Sequence, residues 1–296
     1  MELRNVDVSQ YELINKGGQG AIYRFDKDRV LKLYFAYGYD TVLQLESKEK
    51  ILHEAGIPVL LSDEIVRCGD KFGVIKKYVT GKSLGECLMS DPADFENLAR
   101  IYTDNIKKIH RCKGKHACLK DAKRNYFDRL QVIAQAGLIS ESEYSGFEKF
   151  LDRIPDTDNW LHGDPHARNF IPCNGDVLMV DLDVFGYGHH VFDLAQIYAY
   201  FVAMQNSPNV LKYIGVDSVK GEQLWKYFAD RYFDIDDEDT ISTIETELNY
   251  FSSIFRLILL SHRKDIAQDS DVKKHVQYIR EQVLPNLDSV ERVFEV

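Results

Sequence analysis

The chain changes character near residue 80, and that change restricts the folds open to it more than any other feature. Before it, short β-prone runs alternate with turns. "YELINKGGQGAIYRF" holds two such runs around a glycine cluster, and "DKD" then makes a polar turn. In "RVLKLYF", Val30, Lys32 and Tyr34 alternate with Leu31, Leu33 and Phe35, the period of a strand. "TVLQLESKEKILHEAG" sets Val42, Leu45, Leu52 and Ala55 at roughly helical spacing, and Gly56 stops it. The runs "DEIVRC" and "FGVIKKYV" flank the turn "GDK". These signals predict a curled antiparallel sheet carrying a single helix.

After "TGKSLGE" the pattern becomes helical. "DFENLARIYTDNIKKIH" repeats apolar residues at spacings of three and four, and "FDLAQIYAYFVAM" is apolar nearly all round, as a buried helix is. "QLWKYFADRYF", "ISTIETELNYFSSIFRLILL" and "HVQYIREQVL" read as helices too. A block of strands followed by a block of helices is an α+β arrangement. The boundary falls at Val79 to Gly81, giving a sheet domain over 1–79 and a helical domain over 80–296. No internal repeat or low-complexity linker interrupts either.

With 45% apolar and 28% charged residues over 296 positions, the chain can bury a core and is not of disordered composition. A formal charge of −10 argues against nonspecific nucleic-acid binding, which needs basic surface. The start "MELRNVDVSQ" has no apolar core of a secretory signal, and "FSSIFRLILLSH" is interrupted by Arg256 and too short to span a bilayer. Five scattered cysteines fit a reducing compartment. The expectation is a cytoplasmic protein with neither nucleic acid nor membrane as partner. "HRCKGKHAC" gathers His110, Cys112, His116 and Cys118, but H-x-C-x3-H-x-C matches no common zinc framework; it reads as a helix ending near Gly114 and a basic loop.

Three motifs remain. The glycine turn "NKGGQGAIY" can lay backbone N–H groups against phosphates. Against G-x-G-x-x-G-x-V it supplies Gly17, Gly20 and Ile22, with Asn15 in place of the first glycine; alone, it reads better as a two-glycine hairpin turn. Ten residues on, Lys32 stands in an apolar strand. It can reach nucleotide phosphates if a helix carboxylate holds it, Glu46 being preferred and Glu49 not excluded by the helical wheel. Third, "WLHGDPHARNF" and "VLMVDLDVFG" place Asp164 and Asn169 at the D-x4-N spacing of a phosphotransferase loop, His162 two residues before the Asp, and Asp181 at the end of an apolar run. Asp164 can orient an acceptor hydroxyl, while Asn169 and Asp181 offer hard oxygens to Mg²⁺. A solvated loop would not account for the order glycine turn, Lys, Glu, D-x4-N, Asp.

"LHGDPHARN" and "MVDLDVFGYGHHVFDLA" resemble signatures of the aminoglycoside phosphotransferase and choline kinase superfamily, over Gly17 to Ala195. The resemblance implies a protein-kinase-like two-lobe fold: a small antiparallel five-stranded N-lobe with one helix, a hinge, and a larger, mainly helical C-lobe. It makes Asp164 the catalytic Asp, and Asn169 and Asp181 the metal ligands, with Asp183 as second acid of the D-x-D. Lys32 and Glu46 become an ion pair, and Lys77 to Val79 a hinge whose backbone holds adenine. Asp193 resembles a brace of the catalytic loop, and His162 an organising residue. Two departures, His190 where the family often has Pro and the missing first glycine, remove no catalytic group.

The expected activity is thus Mg²⁺-dependent transfer of the γ-phosphate of ATP, with GTP left open as donor, to a hydroxyl of an aminoglycoside-like, amino-alcohol or sugar acceptor. The alternatives are a non-catalytic nucleotide-binding or regulatory protein on the same fold and, more weakly, a protein kinase, although no A-P-E element follows Asp181. The acceptor itself is not named by the sequence. The carboxylates Asp234, Asp236, Asp237, Glu238 and Asp239 could attract a polycation but read better as a helix N-terminus with a capping box at Ser242 and Glu245. Tyr198, Tyr200, Trp225, Tyr227 and Phe228 read as core rather than an aromatic cage.

Overall fold

The computed structural model describes residues 3–90, 92–173, 175–205, 210–262 and 268–296. Contacts divide the chain into two units, 1–82 with 171–183, and 83–170 with 184–296. In the first, β1 (Glu12–Lys16), β2 (Gly20–Arg24) and β3 (Arg29–Tyr34) lead into α1 (Tyr39–Glu54), followed by β4 (Ser62–Cys68) and β5 (Lys71–Lys77). The five strands form one sheet in the order β1-β2-β3-β5-β4, each neighbouring pair antiparallel.

The alternation along β3 separates two apolar layers. Leu31 and Leu33 pack with Val66, Cys68 and Ile75 on one face. Tyr34 packs on the other with Val42 and Leu45 of α1 and with Ile65 and Val74. Leu31, Val42 and Leu52 are fully buried, and each such side chain contributes about 1.5–3 kcal/mol. Ala55, expected on the same stripe, is exposed because the helix has ended there. Gly56 makes the stop: at φ +74° its N–H reaches the His53 carbonyl at 2.9 Å and the Ile57 N–H reaches that of Leu52 at 2.9 Å. This left-handed closure favours glycine.

The second unit begins with α2 (Leu84–Ser90), α3 (Phe95–Arg111), β6 (Lys120–Asp121), α4 (Ala122–Gln135), α5 (Glu141–Arg153) and β7 (Trp160–Leu161). Asp121 caps α4 through the Arg124 N–H, and Ser140 with Glu143 closes a capping box on α5. Then β8 (Phe170–Cys173) and β9 (Asp176–Met179) pair as a hairpin. The segment 171–183 groups with the first unit: the Met179 N–H donates to the Pro58 carbonyl at 2.9 Å. Its partition differs in this respect from the division into 1–79 and 80–296 read from the sequence.

The chain continues with β10 (Gly186–Tyr187), α6 (Val191–Tyr198), α7 (Val210–Ile214), α8 (Ser218–Phe233), α9 (Glu238–Leu260) and α10 (Ser270–Tyr278). Strands β6, β10 and β7 make a small sheet, α6 packs on α9, and α3 on α8. Helix α6 is buried from Val191 to Ile197, as its all-round apolar sequence requires. It runs on into one wide π turn over Ala199–Ala203. The fold class is α+β, protein-kinase-like. Among the described residues no helix is long and apolar enough to cross a membrane.

The acidic run before α9 acts as a helix terminus, but not through the expected box. Asp237 is the cap, accepting the Thr240 N–H at 3.1 Å, and Glu245 accepts the Trp225 indole N–H at 2.7 Å. Elsewhere burial has a pH consequence. His275, buried and bonded to the Ser253 carbonyl at 2.8 Å, is pushed down to about 4 by loss of hydration. A histidine whose folded value lies below its ordinary 6.5 stabilises fully above pH 6.5, and that contribution is lost as pH falls toward 4. It amounts to on the order of 3 kcal/mol. Urea unfolding at about pH 7.5 and about pH 5 should show this loss, reduced in His275→Gln. Equal stability of the wild type at both would contradict a neutral, buried His275.

Candidate active site

In the second unit, the loop after β7 is built around Asp164. Gly163 stands at φ +77°, and a Cβ there would lie 2.5 Å from the Val184 carbonyl oxygen, so only glycine fits before the acid. The Asp164 carboxylate is held from three sides. The Tyr200 hydroxyl donates to Oδ1 at 2.6 Å, Asn169 Nδ2 donates to Oδ2 at 3.3 Å and to the Asp164 carbonyl at 2.8 Å, and His166 Nε2 lies 3.5 Å from Oδ2. Tyr200 sits on the π turn after α6 and is buried. Burial and the neighbouring Asp164 charge push its hydroxyl far above the ordinary tyrosine range, so it remains a donor. Asn169 Oδ1 accepts no hydrogen bond among the described residues and is the atom able to ligate a cation.

Asp193, fully buried near the start of α6, ties this loop down. Its Oδ2 accepts the His162 backbone N–H at 2.8 Å and its Oδ1 that of Gly163 at 2.8 Å, while His110 Nε2 lies 3.0 Å from Oδ2. Burial alone would raise the carboxyl, but the His110 hydrogen bond and charge outweigh it and hold Asp193 below the usual carboxylate range. His110 is thereby spent on Asp193 and on the Tyr232 hydroxyl at 2.6 Å, not on the nearby cysteines. His190 stacks on the His110 ring at 5.0 Å. His162 is fully buried; its Nδ1 accepts the Asp164 N–H at 3.3 Å, an organising contact with no exposure to solvent.

In the first unit, Lys32 meets the D-x-D pair. Its Nζ lies 3.7 Å from Asp181 Oδ1 and 3.9 Å from Asp183 Oδ1. Asp181 is half exposed at φ +60°, a left-handed backbone that Asp tolerates better than most residues at a cost of about 1–3 kcal/mol. The segment is pinned by Lys48, a buried lysine whose Nζ donates to the Asp183 carbonyl at 3.0 Å and the Leu182 carbonyl at 3.4 Å. The Tyr37 hydroxyl donates to Asp183 Oδ2 at 3.1 Å, and burial, then the Asp183 charge, raises it to about 12.

The ion pair expected between Lys32 and Glu46 is not formed. Glu46 pairs with Lys50 on its own helix at 3.1 Å. Glu49, the other candidate, pairs with Lys76 of β5 and accepts the Ser62 N–H and hydroxyl, both at 2.8 Å. The reason is the rotation of α1: its buried stripe runs Val42, Leu45, Lys48, Glu49, Leu52, which points Lys48 inward and turns Glu46 aside. The signal in the spacing is Lys48 on the apolar stripe beside Glu49, the alternative that the helical wheel left open. Gly17 and Gly20 flank the turn between β1 and β2, with the Gly17 N–H on the Gly20 carbonyl at 2.9 Å. Gly20 has a packing reason of its own, since a Cβ would lie 2.3 Å from the Leu33 carbonyl oxygen. Lys77 ends β5, Val79 follows it, and the Tyr78 N–H between them donates to the Asp28 carbonyl at 2.7 Å.

A family model described as "Phosphotransferase enzyme family" matches residues 11–225, most of the chain and every candidate site residue from Gly17 to Asp193. The chain belongs to this family. It is a phosphotransferase, as the resemblance of its motifs implied. No curated protein matches it significantly. Among solved structures, an amicoumacin kinase in complex with AMP-PNP and Ca²⁺ is similar at TM-score 0.61 and 14% identity, over 96% of this chain and 90% of that one. The aminoglycoside phosphotransferase APH(2″)-IIa, in a streptomycin–ATP ternary complex, aligns at TM-score 0.58 and 14% identity over 94% and 92%. A choline/ethanolamine kinase family protein from Mesorhizobium loti aligns at 0.52 and 13% over 91% and 92%. At such identities the likeness is one of fold.

Sequence reasoning did not find Tyr200 as a partner of Asp164 in this phosphotransferase. It stands in an aromatic-rich helix, where a hydroxyl aimed at one carboxylate leaves no trace in the spacing. Trp225 and Phe228, from the same aromatic set, are indeed stacked in the core.

Proposed function

We propose that this phosphotransferase moves the γ-phosphate of ATP to a hydroxyl of a small molecule, with Asp164 as the group that orients the hydroxyl and takes its proton. The observation that carries the reading is the setting of Asp164: a carboxylate fixed by Tyr200 and Asn169, lining a pocket of about 220 Å³. The transfer forms a bond from the acceptor oxygen to the γ-phosphorus and breaks that from the γ-phosphorus to the bridging oxygen of ADP. The hydroxyl proton passes to Asp164.

Lys32 is the cation for the nucleotide phosphates, and Gly17 and Gly20 their backbone cradle. Lys77 to Val79 would hold the base, and Glu46 has no direct part. Asn169 and Asp181 are the ligands for Mg²⁺, with Asp183 a secondary one. Each donor type fits: Asn169 keeps a carbonyl oxygen with no hydrogen bond among the described residues, and Asp181 already faces the ammonium of Lys32, while Mg²⁺ is typically held by one or two carboxylates together with substrate phosphates. When bound, the ion would neutralise charge on the phosphates. His162 and Asp193 support the loop. Related folds have been solved with ADP, AMP-PNP and GDP, which keeps GTP open as donor.

The test is a mass-spectrometric screen for gain of phosphate, with ATP and Mg²⁺ and panels of aminoglycosides, amino alcohols, sugars and their acids. An acceptor that gains one phosphate only with active protein supports the reading. Binding of Mg-ATP with no acceptor consumed across the panels would favour a non-catalytic nucleotide-binding protein instead.

A further inference from the structure

The pocket that holds Asp164 is made wholly of second-unit residues and has its own chemistry. Its walls are apolar, with Phe192, Phe255 and Ile258 among them. Two polar atoms in it are buried without a partner at hydrogen-bonding geometry among the described residues: Tyr126 Oη and Gln196 Oε1, on residues each 4% exposed. The Gln196 side chain is a loose hydrogen-bonding neighbour of the Tyr126 hydroxyl, outside the geometry of a full hydrogen bond. Orphaned buried polar groups call for a partner. Here they offer one donor-acceptor and one acceptor beside Asp164, a set that fits neighbouring hydroxyls of a polyol.

The charges of the pocket decide the rest. Its carboxylates are Asp164 and Asp193, the first already hydrogen-bonded by Tyr200 and the second by two backbone N–H groups of the loop. Its outer charges are Lys120 and Arg129, exposed and in no ion pair among the described residues. His262 stands beside them, lowered by burial and by the Arg129 charge. A polycation entering here would meet like charge. The volume points the same way: about 220 Å³ lies below the roughly 300–1,000 Å³ of sites for drug-sized ligands, room for about one ring. The acidic groups Asp230 of α8, Asp234 and Asp236 of the following segment and Glu238 of α9 line a separate pocket of about 510 Å³ that does not include Asp164.

We propose that the acceptor is a small anionic polyol, of about one sugar ring, whose carboxylate or phosphate is met by Lys120 and Arg129 while a hydroxyl lies on Asp164. This rests on the reading of Asp164 as the acceptor's base. The bonds made and broken are those given above; the anionic group takes no part in them and serves as a handle.

Gluconate, glucose 6-phosphate, glucose and gentamicin serve as probes, each measured for binding in the presence of Mg-ATP and for phosphate gain. At least one anion should bind about tenfold or more tighter than glucose, and the difference should shrink with salt, because exposed charges are screened over about 8–10 Å at moderate ionic strength. Which anion wins separates carboxylate from phosphate. The double variant Lys120→Glu, Arg129→Glu should weaken that binding by about tenfold or more, while Asp236→Asn, in the other pocket, should leave it unchanged. Mg-ATP affinity of each variant checks that the fold is intact. Preference for gentamicin, no gain of anion over glucose, or indifference to the double charge reversal would overturn the proposal and leave the phosphotransferase reading standing. Failure of Mg-ATP itself to bind the wild type would sink both.

Discussion

Asp164→Asn should transfer phosphate about 10²–10⁴-fold more slowly than the wild type while binding Mg-ATP with undiminished affinity. The substitution keeps the shape and one acceptor oxygen, enough to retain the Tyr200 bond now at 2.6 Å though not also the longer one from Asn169 at 3.3 Å, and Asn169 still holds the carbonyl of residue 164. What it removes is the anion that accepts the hydroxyl's proton. Single-turnover transfer with saturating Mg-ATP reads the loss directly. Turnover within a few-fold of the wild type would show that Asp164 is not the base.

Asp193→Asn should damage the fold as well as the rate. The wild-type carboxylate is fully buried, accepts two backbone N–H groups from His162 and Gly163, and faces His110. An amide can accept only on its oxygen, so one backbone donor is orphaned and His110 loses the carboxylate that it faces. Breaking a buried pair from one side costs about 3–5 kcal/mol, a fall in melting temperature on the order of 10 °C for a chain of this size. The pH profile should change too. A carboxyl held below its ordinary value of 3.8 stabilises above that pH and loses the contribution as pH falls through its lower folded value. This acid limb should be missing in Asp193→Asn. A variant as stable as the wild type at neutral pH would mean that Asp193 carries no such burden.

The sequence carried the parts that repeat with a period or stand at a fixed spacing. The alternation in "RVLKLYF" foretold a strand, and the strand exists with apolar side chains packed on each of its faces. "HGDPHARN" placed Asp164 and Asn169 on one loop, where a short segment leaves little freedom for them to part. The partner of Lys32 was not legible, because a side chain about 6 Å long can turn to any of several acids, and only packing shows that α1 presents Lys48 and Glu49. The pairing of Tyr200 with Asp164 was hidden for a similar reason: residues 36 positions apart meet only through the packing of α6 and its π turn. The charge of the pocket around Asp164 was likewise beyond reach, since Lys120 and Arg129 come from separate elements.

Asp164 and Asp181 are assigned different tasks, and one measurement separates them: Mg-ATP binding by calorimetry across a Mg²⁺ titration, for the wild type, Asp164→Asn and Asp181→Asn. Asn is a poorer, uncharged ligand for a hard cation. Asp181→Asn should therefore need more Mg²⁺ and bind Mg-ATP more weakly, while Asp164→Asn should follow the wild-type curve. If Asp181→Asn overlays the wild type, or Asp164→Asn shifts as far as Asp181→Asn is expected to, the division of roles between the two carboxylates is wrong.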